Sequence, residues 1–258
     1  MTRPHQGKTA IVTGGASGIG EGIARRLIAD GANVVIADLN GALAEDVARE
    51  LGGAAMSVQL DVTDEEAVDK MVRTTLNRFG GLDIMVNNAG IIQINPVTET
   101  DYADWKRIMD VNVDGVFLGC RAAARAMIEQ GRGGVIVNAA SGAGRRGVPN
   151  IAGYCASKAA IIMLTQSLAV ELAPHDITVN SYAPGHITTP FWEGIAEGFS
   201  MVIDKSPEEV VEMFRSTVPM GRFGTPADVA AAVSWLATPD AGYVSGQAIA
   251  MNGAEFPY

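Results

Sequence analysis

Short apolar runs alternate with longer amphipathic runs along this 258-residue chain. The short runs are rich in Val, Ile and Ala, which is typical of parallel strands buried on both faces of a sheet. The predicted strands are Thr9–Thr13, Asn33–Ala37, Ala54–Leu60, Leu82–Asn87, Gly134–Asn138, Ile177–Tyr182 and Gln247–Met251. The predicted helices are Ile19–Asp30, Ala42–Leu51, Glu65–Arg78, Tyr102–Ile128, Ala152–Leu172 and Pro226–Ala237. We therefore expect a doubly wound α/β fold, with a parallel seven-stranded sheet and helices on both faces.

The bulk composition favours one soluble unit. A chain with 48% hydrophobic residues can bury a large core, and no linker or charge block divides it, so we expect a single domain over residues 1–258. The net charge of −10 argues against nucleic-acid and anionic-membrane partners. The N-terminal residues lack the apolar core of a signal peptide, and no apolar run approaches the roughly 18 residues of a membrane span. These features predict a cytoplasmic protein.

A glycine-rich turn joins the first predicted strand to the first helix. It reads Thr13-Gly-Gly-Ala-Ser-Gly-Ile-Gly20, in the strand–turn–helix context that a phosphate-binding turn requires. Gly14 would form the tight turn, Gly18 would let the backbone approach a pyrophosphate, and Gly20 would let the helix pack on the sheet. A purely structural loop is the alternative. The candidate cofactor-binding residues here are Gly14, Ser17, Gly18, Ile19 and Gly20.

Polar side chains end the next predicted strands. Asp38 ends the second strand, where a carboxylate can accept hydrogen bonds from both hydroxyls of an adenosine ribose and would repel a 2′-phosphate. We therefore expect NAD(H) rather than NADP(H); a role for Asp38 in capping the next helix is the alternative. Asp61 ends the third strand, where a carboxylate would reach the adenine amino group. The other candidates at these strand ends are Val62, Asn88, Ala89 and Gly90.

Tyr154 and Lys158 are four residues apart on a predicted helix, so their side chains share one face. The pKa of a phenol is about 10, and it must fall to about 7 for acid–base catalysis near neutrality. A cation ~4 Å away contributes about 4 kcal/mol at an effective dielectric near 20, which matches that fall. Tyr102 and Lys106 repeat the spacing without a strand-borne serine ahead of them. We expect that second pair to lie on a solvated helix face.

Taken in order, these motifs resemble those of the short-chain dehydrogenase/reductase family. The matching segments span nearly the whole chain and are Thr13–Gly20, Asp61–Val62, Asn87–Gly90, Asn112, Ser141, Tyr154, Lys158, Asn180 and Pro184–Gly185. The resemblance implies a Rossmann fold. It also implies a catalytic set composed of Asn112, Ser141, Tyr154 and Lys158.

The resemblance assigns a role to each residue of this set. Tyr154 would exchange a proton with the oxygen of a carbonyl or alcohol, and Ser141 would orient that oxygen. Lys158 would lower the pKa of Tyr154 and hold the nicotinamide ribose, and Asn112 would hold a water that relays protons towards Lys158. The nicotinamide contacts implied after the sixth strand are Pro184, Gly185, Ile187 and Thr189, with Thr188 as an alternative to Thr189.

Residues 190–219 are expected to form a lid over the substrate. The segment contains two predicted short helices, Phe191–Ile195 and Ser206–Phe214. Its large side chains either contact the substrate or pack between the helices, and they are Phe191, Trp192, Phe199, Met201, Met213 and Phe214. Arg145 and Arg146 are either contacts for a polar or anionic substrate or surface charges.

The pattern is most similar to NAD-dependent dehydrogenases of polyols, sugars and vicinal diols, which interconvert a secondary alcohol and a ketone. The alternatives are a 3-oxoacyl-type or hydroxysteroid-type reductase and, outside enzymes, a dinucleotide-sensing regulator. His5, His175 and His186 lack the spacing of metal ligands, so no metal is expected. The resemblance implies a homotetramer that forms through the two long helices and the last strand.

Overall fold

The computed structural model describes residues 3–256. Within this range, parallel strands form a seven-stranded sheet in the order β3-β2-β1-β4-β5-β6-β7. The strands are β1 (Thr9–Thr13), β2 (Asn33–Asp38), β3 (Ala55–Gln59), β4 (Ile84–Asn87), β5 (Gly134–Ala139), β6 (Ile177–Pro184) and β7 (Ala248–Met251). Every residue of β1 and β4 is buried, which is why these strands read as nearly continuous apolar runs. The predicted doubly wound sheet is confirmed.

Helices cover both faces of the sheet. They are α1 (Gly18–Ala29), α2 (Gly41–Leu51), α3 (Glu65–Phe79), α4 (Tyr102–Met109), α5 (Gly115–Gln130), α6 (Ala152–Leu172), α7 (Pro190–Ile203), α8 (Pro207–Ser216) and α9 (Pro226–Leu236). Alternate strand residues point to opposite faces. Ile11 of β1 therefore belongs to the core formed with α3, α5 and α6, whereas its neighbours Ala10 and Val12 belong to the core formed with α1, α2 and α9.

The strand order reverses beside β1. The chain moves outward from β1 to β2 and β3, then returns to β4 and moves outward on the other side. The connections that follow β1 and β4 therefore leave in opposite directions and open a crevice at the carboxyl edge of the sheet. The glycine turn and the segment Asn87–Gly90 both follow strands at this crevice.

The prediction of one continuous helix over Tyr102–Ile128 is wrong. A π-helical turn over Asp110–Asp114 separates α4 from α5. In this turn the side chain of Asn112 accepts a hydrogen bond from the Ile91 N–H and donates one to the Ile91 carbonyl, both at 2.8 Å. This link to a neighbouring loop fixes the wider turn, which a pattern of apolar residues does not reveal. Turns of this type are frequent at functional sites.

The predicted helix Phe191–Ile195 is the beginning of a longer one. Thr189 caps α7, since its hydroxyl oxygen accepts a hydrogen bond from the Trp192 N–H at 3.3 Å. Ser206 and Glu209 form a capping box at the start of α8. The apolar side chains of α7 and α8 pack together in a hydrophobic cluster outside the two core layers. This cluster lies over the carboxyl edge of the sheet.

α6 and the turn after it are more apolar than expected. The segment Ala152–His175 is long and apolar enough to cross a membrane by length and composition, with a mean hydropathy of 1.3. The prediction that no run approaches this length is therefore wrong for this helix. One side of α6 packs on β5 and β6. Its other side exposes Met163 and Val170, whose side chains are 64% and 80% accessible.

A buried histidine anchors the N-terminal segment. His5 is fully buried, and its Nε2 lies 3.0 Å from the hydroxyl oxygen of Ser234 on α9. That hydroxyl donates a hydrogen bond to the Asp30 carboxylate at 2.6 Å, just after α1. Burial lowers the pKa of His5, although the nearby Asp30 carboxylate opposes this effect. The neutral ring therefore joins the N-terminal segment, α1 and α9.

Acidification should destabilise the protein through His5. The unfolded chain binds a proton near the ordinary pKa of about 6.5, whereas the native ring resists protonation, so stability falls as the pH drops through that value. Urea titrations at pH 7.5 and 5.5 should show a larger loss of unfolding free energy for the native sequence than for His5→Gln. At pH 7.5, His5→Gln should itself cost about 1–3 kcal/mol. The exposed-site control His175→Gln should keep the native pH response; an equal response in all three proteins would contradict this role.

Candidate active site

A cleft of about 490 Å³ opens at the carboxyl edge of the sheet. A smaller pocket of about 130 Å³ adjoins it. Most of the predicted cofactor-binding residues line the cleft, namely Gly14, Ser17, Gly18, Ile19, Asp38, Asp61, Val62, Asn88, Ala89, Gly90, Tyr154, Lys158, Pro184 and Thr189. Gly185 and Ile187 line the smaller pocket instead, and Gly20 lies behind the cleft wall. The fold thus brings distant segments to one place.

The glycine turn has the shape of an anion cradle. Gly14 and Gly18 have φ angles of 59° and 55°, a conformation that favours glycine. A Cβ atom at Gly20 would stand 2.0 Å from the Gly14 carbonyl oxygen, so the helix reaches the turn only without a side chain there. Ser17 precedes α1 without capping it through its side chain. The N–H groups and dipole of the first turn are therefore available for a phosphate.

Asp38 orders the glycine turn from the end of β2. Its Oδ2 accepts a hydrogen bond from the Ala16 N–H at 3.1 Å, and its Oδ1 accepts one from the Asn40 N–H at 3.0 Å. Each oxygen can accept a further hydrogen bond. Asn40 caps α2 through its own side chain, so the helix-capping alternative for Asp38 is wrong. Asp61 is exposed, and its Oδ1 accepts hydrogen bonds from the N–H and the hydroxyl of Thr63.

Asn88 braces the cleft with its side chain. The amide donates to the carbonyls of Thr13 and Gly14 at 3.0 and 2.9 Å, and its oxygen accepts from the Tyr182 hydroxyl at 2.7 Å. These bonds tie the ends of β1, β4 and β6 together. Tyr182 is therefore a site residue that sequence analysis missed, because an aromatic residue in an apolar strand reads as ordinary core.

Tyr154 lies in the first turn of α6 and lines both the cleft and the smaller pocket. Ser141 lines the smaller pocket with it, and the Ser141 Oγ accepts a hydrogen bond from the Ala143 N–H at 3.2 Å. Ser141 follows β5, so the sheet positions one partner and α6 positions the other. Burial raises the pKa of Tyr154 to about 12, and the Ser141 side chain offsets only part of this effect.

Lys158 is buried one turn further along α6. Its ammonium group donates a hydrogen bond to the Ala139 carbonyl at 2.8 Å, and Nζ lies 5.6 Å from the centre of the Tyr154 ring. Burial lowers the pKa of Lys158 to about 8. The expected fall in the pKa of Tyr154 is therefore wrong for this structure. The Lys158 ammonium donates its hydrogen bond to the Ala139 carbonyl, and burial disfavours the charged forms of both Tyr154 and Lys158.

The side chain of Asn112 lies behind the cleft wall. It is fully buried and bonded to both backbone groups of Ile91 and to the Ser157 hydroxyl, at 2.8, 2.8 and 3.1 Å. These bonds leave its amide little capacity for the expected water. A Cβ atom at Gly90 would stand 3.2 Å from Asn112 Oδ1 and 3.4 Å from Lys158 Nζ. Gly90 therefore allows these two side chains to approach each other.

The segment after β6 connects the two cavities. The Gly185 N–H donates to the Met251 carbonyl at 3.0 Å, and Ile187 is buried beside Gly224. Thr189 lines both the cleft and the smaller pocket, whereas Thr188 lines neither. Across residues 3–256, no group of three or more His, Cys, Asp and Glu side chains is arranged to hold a metal ion.

The smaller pocket is mostly apolar. Four of the predicted lid residues line it, namely Phe191, Trp192, Phe199 and Phe214. Met201 is 80% exposed, and neither it nor Met213 lies on the wall. Arg146 lines the pocket, whereas the Arg145 guanidinium donates to the Ala248 carbonyl at 2.8 Å. Further wall residues are Ile92, Gly142, Ala143, Val148, Ile151, His186, Ile195 and Phe256.

Comparisons with known proteins agree with this geometry. A family model described as enoyl-(acyl carrier protein) reductase matches residues 14–253. The chain is 41% identical to a sorbitol dehydrogenase of Cereibacter sphaeroides, over 97% of this chain and 98% of that protein. It is also 41% identical to a galactitol 2-dehydrogenase of Agrobacterium fabrum, over 96% of this chain and 97% of that protein.

A solved structure shares the whole fold. The crystal structure of 3-ketoacyl-(acyl-carrier-protein) reductase from Brucella melitensis complexed with NADH matches with a TM-score of 0.87 and 38% identity, over 97% of this chain and 98% of that one. Family model, relatives and fold agree with the motifs read from the sequence. The chain therefore belongs to the short-chain dehydrogenase/reductase family, whose members are oxidoreductases that bind a nicotinamide dinucleotide.

Proposed function

We propose that this protein is an NAD(H)-dependent oxidoreductase that interconverts a secondary alcohol and a ketone on a small polyol, sugar or vicinal diol. The observation that carries the proposal is that Tyr154 and Ser141 share the wall of the smaller pocket, while Tyr154 also lines the adjoining cleft. A dinucleotide in the cleft would present its reactive end to a substrate at this junction. The 41% identical sorbitol and galactitol dehydrogenases support the polyol class.

The residues of the cleft fit the dinucleotide. Its pyrophosphate would lie on the glycine turn, where the positive φ angles of Gly14 and Gly18 bring the backbone close to a ligand. Asp38 would hold the adenosine ribose, Lys158 the nicotinamide ribose, and Thr189 the carboxamide. When bound, the dinucleotide supplies the hydride chemistry. The remaining proposed cofactor contacts are Ser17, Ile19, Gly20, Asp61, Val62, Asn88, Ala89, Gly90, Tyr154, Pro184, Gly185 and Ile187.

Tyr154 would move the proton. During ketone reduction its hydroxyl gives a proton to the carbonyl oxygen, and during alcohol oxidation it takes one back. Ser141 donates a second hydrogen bond to the same oxygen and stabilises its developing negative charge. The phenol form of Tyr154 dominates here because its pKa is raised to about 12, which suits proton donation. Oxidation requires Lys158 to turn its ammonium from the Ala139 carbonyl towards the phenol.

The preference for NAD(H) rests on the charges around Asp38. Its carboxylate faces the cleft, and the two residues that follow it, Leu39 and Asn40, are uncharged. A 2′-phosphate placed there would meet a like charge without a neighbouring cation in sequence. Arg107 also lines the cleft, but it comes from α4 rather than from the end of β2.

The alternatives fit the substrate pocket less well. A volume of about 130 Å³ is below the roughly 300–1,000 Å³ of pockets that enclose drug-sized ligands, so a steroid would need a much wider opening. A 3-oxoacyl group on a carrier protein would favour a basic docking surface, whereas the net charge is −10. A dinucleotide sensor would have no need for Ser141, Tyr154 and Lys158 together.

We further propose a cytoplasmic homotetramer of single-domain chains, without nucleic-acid or membrane partners. Several large apolar side chains lie exposed. Phe117 lies on α5 and Met163 and Val170 lie on α6, whereas Trp235 lies on α9 and Tyr243 precedes β7. Apolar contacts through α5 and α6, and others through α9 and the segment before β7, would provide the two kinds of subunit contact that a tetramer with twofold symmetry requires.

Replacing Tyr154 should separate catalysis from cofactor binding. Tyr154→Phe removes the acid–base hydroxyl and keeps the ring, so kcat for NAD⁺-dependent polyol oxidation should fall by about 10²–10⁴-fold. The Kd for NADH, measured by fluorescence titration, should change little. Tyr102→Phe removes the same hydroxyl from the second Tyr-x-x-x-Lys pair and should keep the native rate. A near-native rate for Tyr154→Phe would refute the proposed mechanism.

Replacing Asp38 should weaken the coenzyme preference. The native enzyme should favour NAD⁺ in kcat/KM, and Asp38→Ala should lower the NAD⁺/NADP⁺ ratio by about 10–100-fold, because hydrogen bonds to a charged group are lost and repulsion is relieved. Asp46→Ala, on the exposed side of α2, is the matched control. A native preference for NADP⁺, or an unchanged ratio in Asp38→Ala, would disprove the assignment.

Charge on the outer face of α6 should break the assembly. Val170→Glu places a carboxylate in the proposed subunit contact, so light scattering after size-exclusion chromatography should show a mass below the tetramer. Val97→Glu, at another exposed apolar position, is the control and should remain tetrameric. A monomeric native protein, or an unchanged mass for Val170→Glu, would contradict this contact.

A further inference from the structure

A buried carboxylate lies behind the wall of the smaller pocket. The Glu255 side chain is 2% exposed and follows β7. Its oxygens are 3.2 Å from His186 Nε2, and Oε1 accepts a hydrogen bond from the Thr217 hydroxyl at 2.8 Å. The Arg146 guanidinium lies 3.6 Å away. Despite burial, these neighbours keep the pKa of Glu255 below its usual value, so the group is a carboxylate at neutral pH.

The contact with Glu255 fixes the orientation of His186. A carboxylate only accepts hydrogen bonds, so Nε2 carries a proton, and Nδ1 is the ring nitrogen left for a substrate hydroxyl, as an acceptor in this tautomer of the neutral ring. The rings of Trp192 and Phe214 pack on the imidazole, with centroids 4.7 and 4.9 Å away, and restrict its rotation. Among residues 3–256, Nδ1 has no hydrogen-bond partner, yet it is not one of the fully enclosed polar atoms. The ring lines the smaller pocket.

The rest of that pocket offers a hydroxyl few other acceptors. Arg146 and Trp192 also line it, but a guanidinium and an indole N–H only donate hydrogen bonds. Apart from the proposed catalytic pair, its wall is formed largely by Ile92, Val148, Ile151, Ile195, Phe199 and Phe214. The proposed reaction assigns one substrate oxygen to Tyr154 and Ser141. A second hydroxyl buried without a partner would cost about 1–3 kcal/mol. A hydrogen-bond acceptor at His186 removes this free-energy cost for a diol. A molecule with a single hydroxyl has no second hydroxyl to form that bond.

We infer that His186, oriented by Glu255, accepts a hydrogen bond from a second hydroxyl of the substrate and thereby selects vicinal diols and polyols over monohydric alcohols. This inference rests on the proposed function, because it concerns the substrate of the same pocket. His186 contacts the substrate directly. Glu255 is a positioning residue, since it acts through the tautomer and orientation of the imidazole ring.

The first test compares two substrates with the same carbon skeleton. The ratio of kcat/KM for butane-2,3-diol to kcat/KM for butan-2-ol is measured with NAD⁺. His186→Phe keeps an aromatic ring and should lower this ratio by about 10–100-fold. Glu255→Gln keeps the volume but can donate to Nε2 and so reverse the tautomer, and it should lower the ratio by a smaller factor. His175→Phe changes an exposed histidine and should leave the ratio at the native value.

A second test reads the hydrogen bond without turnover. In ¹⁵N-histidine NMR spectra of the NADH-bound protein, butane-2,3-diol should shift the Nδ1 signal that His186→Phe lacks, and butan-2-ol should not. The inference is wrong and the proposed function stands if the native enzyme oxidises diols, but His186→Phe leaves the kcat/KM ratio unchanged and the diol does not shift the signal. If the diol shifts the signal but no alcohol is oxidised, the proposed function is wrong and the recognition stands. If no alcohol is oxidised and the diol does not shift the signal, both the inference and the proposed function are wrong.

Discussion

Because the strands of the described sheet are parallel, their carboxyl ends all meet at one edge. The loops that follow the strands therefore lie close together at this edge, and the reversal of strand order beside β1 leaves a crevice between them. An open edge needs internal support, since strand ends have unpaired backbone groups. Asn88 provides this support by satisfying the carbonyls of Thr13 and Gly14 while it binds Tyr182. The cleft is therefore held open by polar bonds beneath its floor.

Burial sets the electrostatic character of the site. It raises the pKa of Tyr154 and lowers that of Lys158, so it favours the neutral form of each group. The proposed chemistry requires the opposite charge distribution during alcohol oxidation. The surroundings of Tyr154 and Lys158 must change to produce that charge distribution, and the hydrogen bond from Lys158 to the Ala139 carbonyl must break.

The sequence predicted the sheet, the glycine turn and the family because these depend on local patterns. Apolar runs identify buried parallel strands, and the positive φ angles at positions 14 and 18 favour glycine, which is visible in the sequence. The π turn at Asp110–Asp114 is not visible in the sequence, since it is accompanied by hydrogen bonds between Asn112 and Ile91, which lies 21 residues earlier in the chain. The direction of the Tyr154 pKa also escaped prediction, because spacing along a helix does not reveal burial or competing acceptors.

The substrate pocket could not be predicted for a similar reason. His186, Val148 and Phe256 belong to separate segments that only the folded chain brings together. This arrangement has a consequence for synthesis on the ribosome. The residues that line the cleft extend only to Phe191, whereas the smaller pocket needs Phe256 and, behind it, Glu255. A growing chain therefore contains every cleft residue about 60 residues before it contains the last part of the substrate wall, although β7 and α9, which complete the sheet and core, also come after Phe191.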